Sequence, residues 1–314
     1  MTIFNRPKLY LDFQDSIIRV VQGNLNGNKV RVDGFASLEL TKSLSFRQDE
    51  AENRELGAVL TDFLKVHGLS ASRALVNLNQ EGIIIRTAVV PAMKTKVLTE
   101  FLHKEINEFL PVDLNEYNYD YRIIRMYQDE SDHQQYFELL LAAVPRNTIQ
   151  RIVHILEETD LYISAIDILP NSLLRLFSQA TYNEGVAVLE VGDDGTRIMA
   201  VRGQIPLFYA DIPFRLSNEE QDFIQLFEET RGYLNYFASR HQGRQVEGVF
   251  VLGKLAQSDL AIRQIFQEVW GVPVMTQVND LVQLEYQGKM GSQFAKVAAM
   301  YAANLGLMLR KDGH

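Results

Sequence analysis

Asp12 and Glu190 are the residues of this chain best placed to do chemistry. Each closes an apolar run and stands before a tight turn, Phe13-Gln14-Asp15-Ser16 in one case and Val191-Gly192-Asp193-Asp194-Gly195-Thr196 in the other. Gly192 and Gly195 allow the chain to reverse tightly in the second of these turns. The same residues also suit two ordinary hairpins with solvated polar turns, because Asp-Gly is a common hairpin dipeptide whatever the function. Other chemistry is poorly supported. The six histidines (His67, His103, His133, His154, His241, His314) have no close metal-ligand spacing. The absence of cysteine excludes disulfides and Cys-based nucleophile or metal sites. Neither a Gly-x-Ser-x-Gly elbow nor a Walker-type loop is present.

The elements that must hold the two carboxylates repeat. Residues 9–12, 16–21 and 30–40 read as strands, with a turn at Gly23-Asn24-Leu25-Asn26-Gly27. A helix over 54–67 follows the polar segment 43–55 and stops at Gly68, a natural C-cap. Residues 74–78 form the next strand. The second half runs the same way. Strands fall at 186–191, 196–201 and 205–212, a long helix at 218–237 and a strand at 249–252. Asp12 and Glu190 occupy matching points of these two β-β-β-α-β units, so the chain reads as a duplicated α/β architecture. A helix over 258–270 and Val272-Pro273-Val274 complete the second unit.

Between the two units lies a β-α-β-β-α-β stretch from Ile83 to Ile168, a small α+β insertion. Its first part is sharply punctuated. An apolar run ends at Pro91. Val97, Leu98, Phe101, Leu102, Ile106, Phe109 and Leu110 then share one helical face, and Pro111 stops the helix. Tyr117, Tyr119 and Tyr121 alternate with polar residues, the period of a half-buried strand, and are expected to pack against the 97–110 helix. The stretch 294–309 is apolar enough for a membrane-surface anchor. Its small residues (Ala298, Ala299, Ala302, Ala303, Gly306) instead suit close packing, so a buried closing helix over 293–310 is expected.

Several segments resemble the type IV pilus assembly protein PilM family, a branch of the actin/sugar-kinase/Hsp70-like fold. They are residues 89–124, Ala165-Ile166-Asp167-Ile168, 206–213, Gly271-Val272-Pro273-Val274 and 304–310, spread over nearly the whole chain in the family's order. The resemblance implies a duplicated actin-like (FtsA/PilM-type) fold with an inserted α+β subdomain. Its first half would comprise 1–81 and 163–182, the insertion 82–162, the second half 183–292, and 293–314 would close back on the first half. It implies a cytoplasmic protein that binds the N-terminal tail of a PilN-like inner-membrane protein and joins a pilus, competence or secretion platform. It also implies an ATP site, in which Asp12, Ser16, Glu190, Gly192, Gly195, Thr196 and Gly253 match the nucleotide-binding positions.

Three loops depart from that ATP pattern. The first phosphate loop, Asp-x-Gly-x-x-x-x-Lys in the family, has Gln14 for the glycine and Arg19 for the lysine, and Asp15 adds negative charge. The second keeps Gly192, Gly195 and Thr196 but has Glu190 for aspartate and two carboxylates at its tip. The adenosine loop, Leu-Ser-Gly-Gly in the family, reads Val251-Leu252-Gly253-Lys254-Leu255 and loses one glycine. These departures favour solvated hairpins over a working nucleotide clamp. Weak Mg-ATP binding stays open, and efficient hydrolysis is not expected.

Bulk properties make a soluble protein in the cytoplasm the simplest reading. The chain has 314 residues, 46% of them hydrophobic, enough for a large core or two domains. A net charge of −9 argues against a nucleic-acid groove. No stretch reaches the roughly 20 apolar residues of a membrane span, and 1–13 lack the apolar core of a signal peptide. The alternatives are an active actin-like ATPase or small-molecule kinase, an FtsA-like division scaffold, and a GspL-like secretion protein. The FtsA-like reading asks for a C-terminal linker and amphipathic helix that are not seen here.

Overall fold

The computed structural model describes residues 6–44, 49–80, 82–179, 182, 184–212, 214, 220–240, 243, 245–257, 260–286 and 288–311. Among them the chain forms fourteen strands and eight α-helices. In order these are β1 (Lys8–Phe13), β2 (Ile17–Asn26), β3 (Lys29–Glu39), α1 (Glu50–Val66), β4 (Arg73–Leu78), β5 (Ile84–Pro91), α2 (Thr95–Phe109), β6 (Tyr117–Gln128), β7 (Gln135–Pro145), α3 (Arg146–Glu157), β8 (Tyr162–Ile168) and α4 (Leu169–Leu176). The rest are β9 (Val186–Val191), β10 (Thr196–Arg202), β11 (Ile205–Ile212), α5 (Glu220–Arg240), β12 (Val249–Gly253), α6 (Leu260–Trp270), β13 (Val274–Met275), β14 (Gln283–Tyr286), α7 (Gly288–Val297) and α8 (Ala302–Met308). The starts expected at 218 and 258, and His241 and His314, lie outside the described residues.

Two compact units divide the chain. The larger one (1–44, 58–79 and 159–314) holds two sheets, of strand order β14-β3-β2-β1-β4-β8 and β11-β10-β9-β12-β13. In each, an antiparallel three-strand meander (β1-β2-β3, β9-β10-β11) gives its first strand a parallel neighbour (β4, β12). The strands are apolar on both faces where they are central. All six residues of β9 and all five of β12 are buried, which fits sheets covered on both sides. This is the duplicated actin-like plan.

The smaller unit (45–57 and 80–158) is built on the antiparallel sheet β5-β7-β6. Leu98, Leu102 and Ile106 of α2 pack on Ala88, Val90, Leu139, Leu141 and Ala143, and Tyr117, Tyr119 and Tyr121 pack against the same cluster. The Tyr121 hydroxyl lies 3.0 Å from Thr99 Oγ1, so the tyrosines support the helix.

Several elements differ from the sequence reading, each for a physical reason. The helix expected from residue 54 begins at Glu50, because the Asp49 carboxylate caps it, accepting from the Ala51 N–H at 2.9 Å. The hairpin expected to turn over 23–27 reverses at Gly27-Asn28, and Gly23 sits at a bulge inside β2. Helix α4 starts directly after β8 at Leu169, with Pro170 in its first turn, where a fixed φ is favourable. The closing helix is broken. A 3-10 turn, Ala298–Tyr301, separates α7 from α8, and the two pieces serve different partners. Phe294 of α7 and Tyr301 of the turn meet Phe35 edge-on, whereas every residue of α8 is buried and packs on β1, β2, β4 and α4. Strand β14, in a segment with no clear pattern, adds parallel to β3 at the sheet edge.

Candidate functional site

Asp12 lies near the end of a central strand, where β1, β4 and β8 run parallel. Asp12, Asn77 and Asp167 are direct neighbours across these three strands. Polar side chains at the carboxyl ends of parallel strands stand where α/β sheets hold ligands. Asp12 is 1% exposed and fully engaged. Its Oδ1 accepts from Asn77 Nδ2 at 2.7 Å and its Oδ2 from Gln14 Nε2 at 2.8 Å. Asn77 in turn accepts from the Ser172 hydroxyl at 2.8 Å. Burial raises the Asp12 pKa, with the Gln14 hydrogen bond, Arg19, Asn77 and Arg197 all opposing the rise.

Glu190 is the equivalent on β9, and here a second symmetry appears. Asp12 pairs in register with Arg19, and Glu190 with Arg197, seven residues on in each hairpin. Arg197 Nη1 lies 3.5 Å from Glu190 Oε2, and its Nε lies 3.4 Å from Asp211. Burial pushes the Glu190 carboxyl up to about 7; Arg197 and Arg19 pull it down, and the like charge of Asp12 adds to the rise. The repeated acid-x6-Arg spacing is the signal that would have identified Arg197, which the sequence reading passed over.

The turn residues close the site. Gly192 N–H donates to the Gly195 carbonyl at 2.9 Å, which makes the tight turn. A Cβ on Gly192 would lie 3.1 Å from Glu190 Oε1 and 3.3 Å from Gln14 Oε1, so the two hairpins meet here. Asp194 Oδ2 accepts from the Ser16 backbone N–H at 2.7 Å. Asp193 forms ion pairs with both Arg19 and Lys254. Thr196 is buried, and its hydroxyl has no protein partner among the described residues. Gly253 ends β12 at φ +75, with its Cα against the Val191 backbone, a combination open only to glycine. The structure therefore gathers Asp12, Ser16, Glu190, Gly192, Gly195 and Thr196 around the two facing hairpins. Gly253 serves the β12–β9 pairing beside them.

Comparison with known proteins follows the architecture. The family model for type IV pilus assembly protein PilM matches residues 11–230. Among solved structures, a PilM-PilN type IV pilus biogenesis complex is similar with a TM-score of 0.77 at 18% identity, over 96% of this chain and 98% of that one. A Bacteroides thetaiotaomicron protein with an actin-like ATPase fold and unknown function gives 0.47 at 11% identity, over 99% and 100%. The cytoplasmic domain of EpsL, an inner membrane component of the Vibrio cholerae type II secretion system, gives 0.46 at 9%, over 97% and 96%. No curated protein sequence matches the chain. Since the family model spans well over half of the 314 residues, the chain belongs to the type IV pilus assembly protein PilM family.

Proposed function

We propose that this protein is a cytoplasmic adaptor of a type IV pilus assembly platform and that it binds the N-terminal tail of a PilN-like inner-membrane protein. The observation that carries this reading is family membership over residues 11–230, together with the likeness to a PilM-PilN complex over nearly the whole chain. No helix among the described residues is long and apolar enough to cross a membrane, so attachment through a membrane partner is the economical arrangement.

The smaller unit has features suited to a peptide. Strand β5 pairs only with β7 among the described residues, which leaves its other edge free for strand addition. Ile84 and Ile85 are half-buried and Val89 is 52% exposed, so the edge can grip apolar side chains at alternate positions.

Nucleotide turnover is no part of the proposed role. Each oxygen of Asp12 already accepts from an amide donor, Asn77 Nδ2 on one and Gln14 Nε2 on the other. Gln14 fills the place of a glycine, and the donors a phosphate would need are engaged by Asp193 and Asp194. The residues present do not fit Mg-ATP.

Calorimetric titration with a synthetic PilN-like tail tests the adaptor role. Saturable binding is expected, weakened by Val89→Lys; no heat at high micromolar peptide would remove the proposal.

A further inference from the structure

Three donors of the kind that hold a phosphate chain converge between the hairpins. They are the Ser16 backbone N–H, the guanidinium of Arg19, which is 1% exposed, and the ammonium of Lys254. Backbone amides of a turn, a buried arginine and a lysine are a general recipe for di- and triphosphate anions. Here their partners are two adjacent carboxylates of the chain itself. Asp194 takes the Ser16 amide, and Asp193 takes Arg19 with one oxygen and Lys254 with the other.

We propose that Asp193 and Asp194 act as a built-in substitute for a polyphosphate, filling an anion site and tying the two hairpins together in its place. The charges support this. The two turn carboxylates balance the one guanidinium and one ammonium they face, and Arg197 behind them stands against Glu190 and Asp12, so no positive charge is left over for a polyanion. A polyphosphate would have to expel both aspartates, which remain tethered at the turn and repel it. The site nevertheless retains unused polar atoms. Arg19 Nε, Thr196 Oγ1 and Gln14 Oε1 are buried without a protein partner among the described residues. Once the carboxylates lose their charge, Arg19 and Thr196 can donate to a phosphate oxygen. Lys254, 47% exposed, is free to swing with the ligand. The proposal goes beyond the adaptor role and stands whether or not a membrane-protein tail binds; tail titration and anion titration are separate measurements.

The test uses the full chain with Asp193→Asn and Asp194→Asn together, titrated with sodium tripolyphosphate at constant ionic strength by calorimetry. The double variant is expected to bind at least ~10-fold more tightly than the unmodified protein, and adding Arg19→Ala is expected to abolish the gain. Each single aspartate variant should show part of the gain, which keeps the proposal testable if the double variant does not fold. A control, Glu228→Gln with Glu229→Gln on the exposed face of α5, removes the same charge away from the site. Equal affinity in the unmodified and aspartate variants would overturn the proposal. So would a similar gain in the α5 control, or one that survives Arg19→Ala.

Discussion

The Glu190→Gln substitution should change how stability depends on pH. Glu190 is 5% exposed and its pKa is raised from 4.5 to about 7, burial being the largest cause. At about 1.36 kcal/mol per unit, that rise corresponds to roughly 3 kcal/mol. The sign follows from proton counting. Between pH 4.5 and 7 the folded chain holds a proton on Glu190 that the unfolded chain has released, so this contribution falls as pH rises. It is fully present below the unfolded pKa and gone above about 7. Glutamine keeps the neutral shape without the titration, and Arg197 retains Asp211 at 3.4 Å. Urea unfolding of both proteins, followed through the single tryptophan, provides the assay. Trp270 is buried against Phe227 and Phe266 in the unit that contains Glu190. The stability difference, unmodified minus variant, is expected to drop by roughly 3 kcal/mol from pH 4.5 to 8. Parallel pH profiles, or a difference that grows with pH, would refute the reasoning.

Two further perturbations address how the larger unit is closed. Asp167→Asn should destabilise by about 3 kcal/mol at neutral pH in urea unfolding, because Arg175 at 2.6 Å and Arg310 at 2.5 Å both lose the same carboxylate oxygen. Burial works to raise the Asp167 pKa, but Arg175, the Ile168 amide and Arg310 outweigh it and hold it below 3.8; the stabilisation is therefore present above that pH and lost on acidification. Gly306→Ala should lower the thermal midpoint sharply and cost about 2 kcal/mol or more, since the new methyl would run into the Ser172 carbonyl where α8 crosses α4. A midpoint equal to that of the unmodified protein would mean that α8 can move aside.

The regular parts of this fold were legible because they depend on local pattern. The two β-β-β-α-β units, the α2 helix between Pro91 and Pro111, and the tyrosine strand all carry their period in consecutive residues. Elements held by distant partners were not legible in the same way. Strand β14 is four residues long and exists because β3, about 250 positions earlier, offers an edge. The closing helix read as continuous because α8 is buried all round, which removes the periodicity that would mark its break at Ala298–Tyr301. The start of α1 was missed because its signal, Asp49 with Glu50 and Glu52, lies in a stretch whose polarity also suits a loop.

The candidate site divides along the same line. Spacing alone aligned Asp12 with Glu190 and picked out the glycines at 192 and 195, and the structure sets them around facing hairpins. Asp193 and Asp194 read as solvated turn residues, since an Asp-Asp-Gly tip on a hairpin needs no further explanation. Their partners lie 174 and 178 residues away, beyond any local pattern. Arg19 held the clue. It stands where the family pattern has a lysine, and a buried guanidinium needs a partner for its planar donors, of which a phosphate is only one candidate. The Asp193 carboxylate at the opposite turn meets the same need, and Asp194 beside it takes the Ser16 amide. An ion pair and an amide hydrogen bond thus join the two turns, with Lys254 pairing alongside.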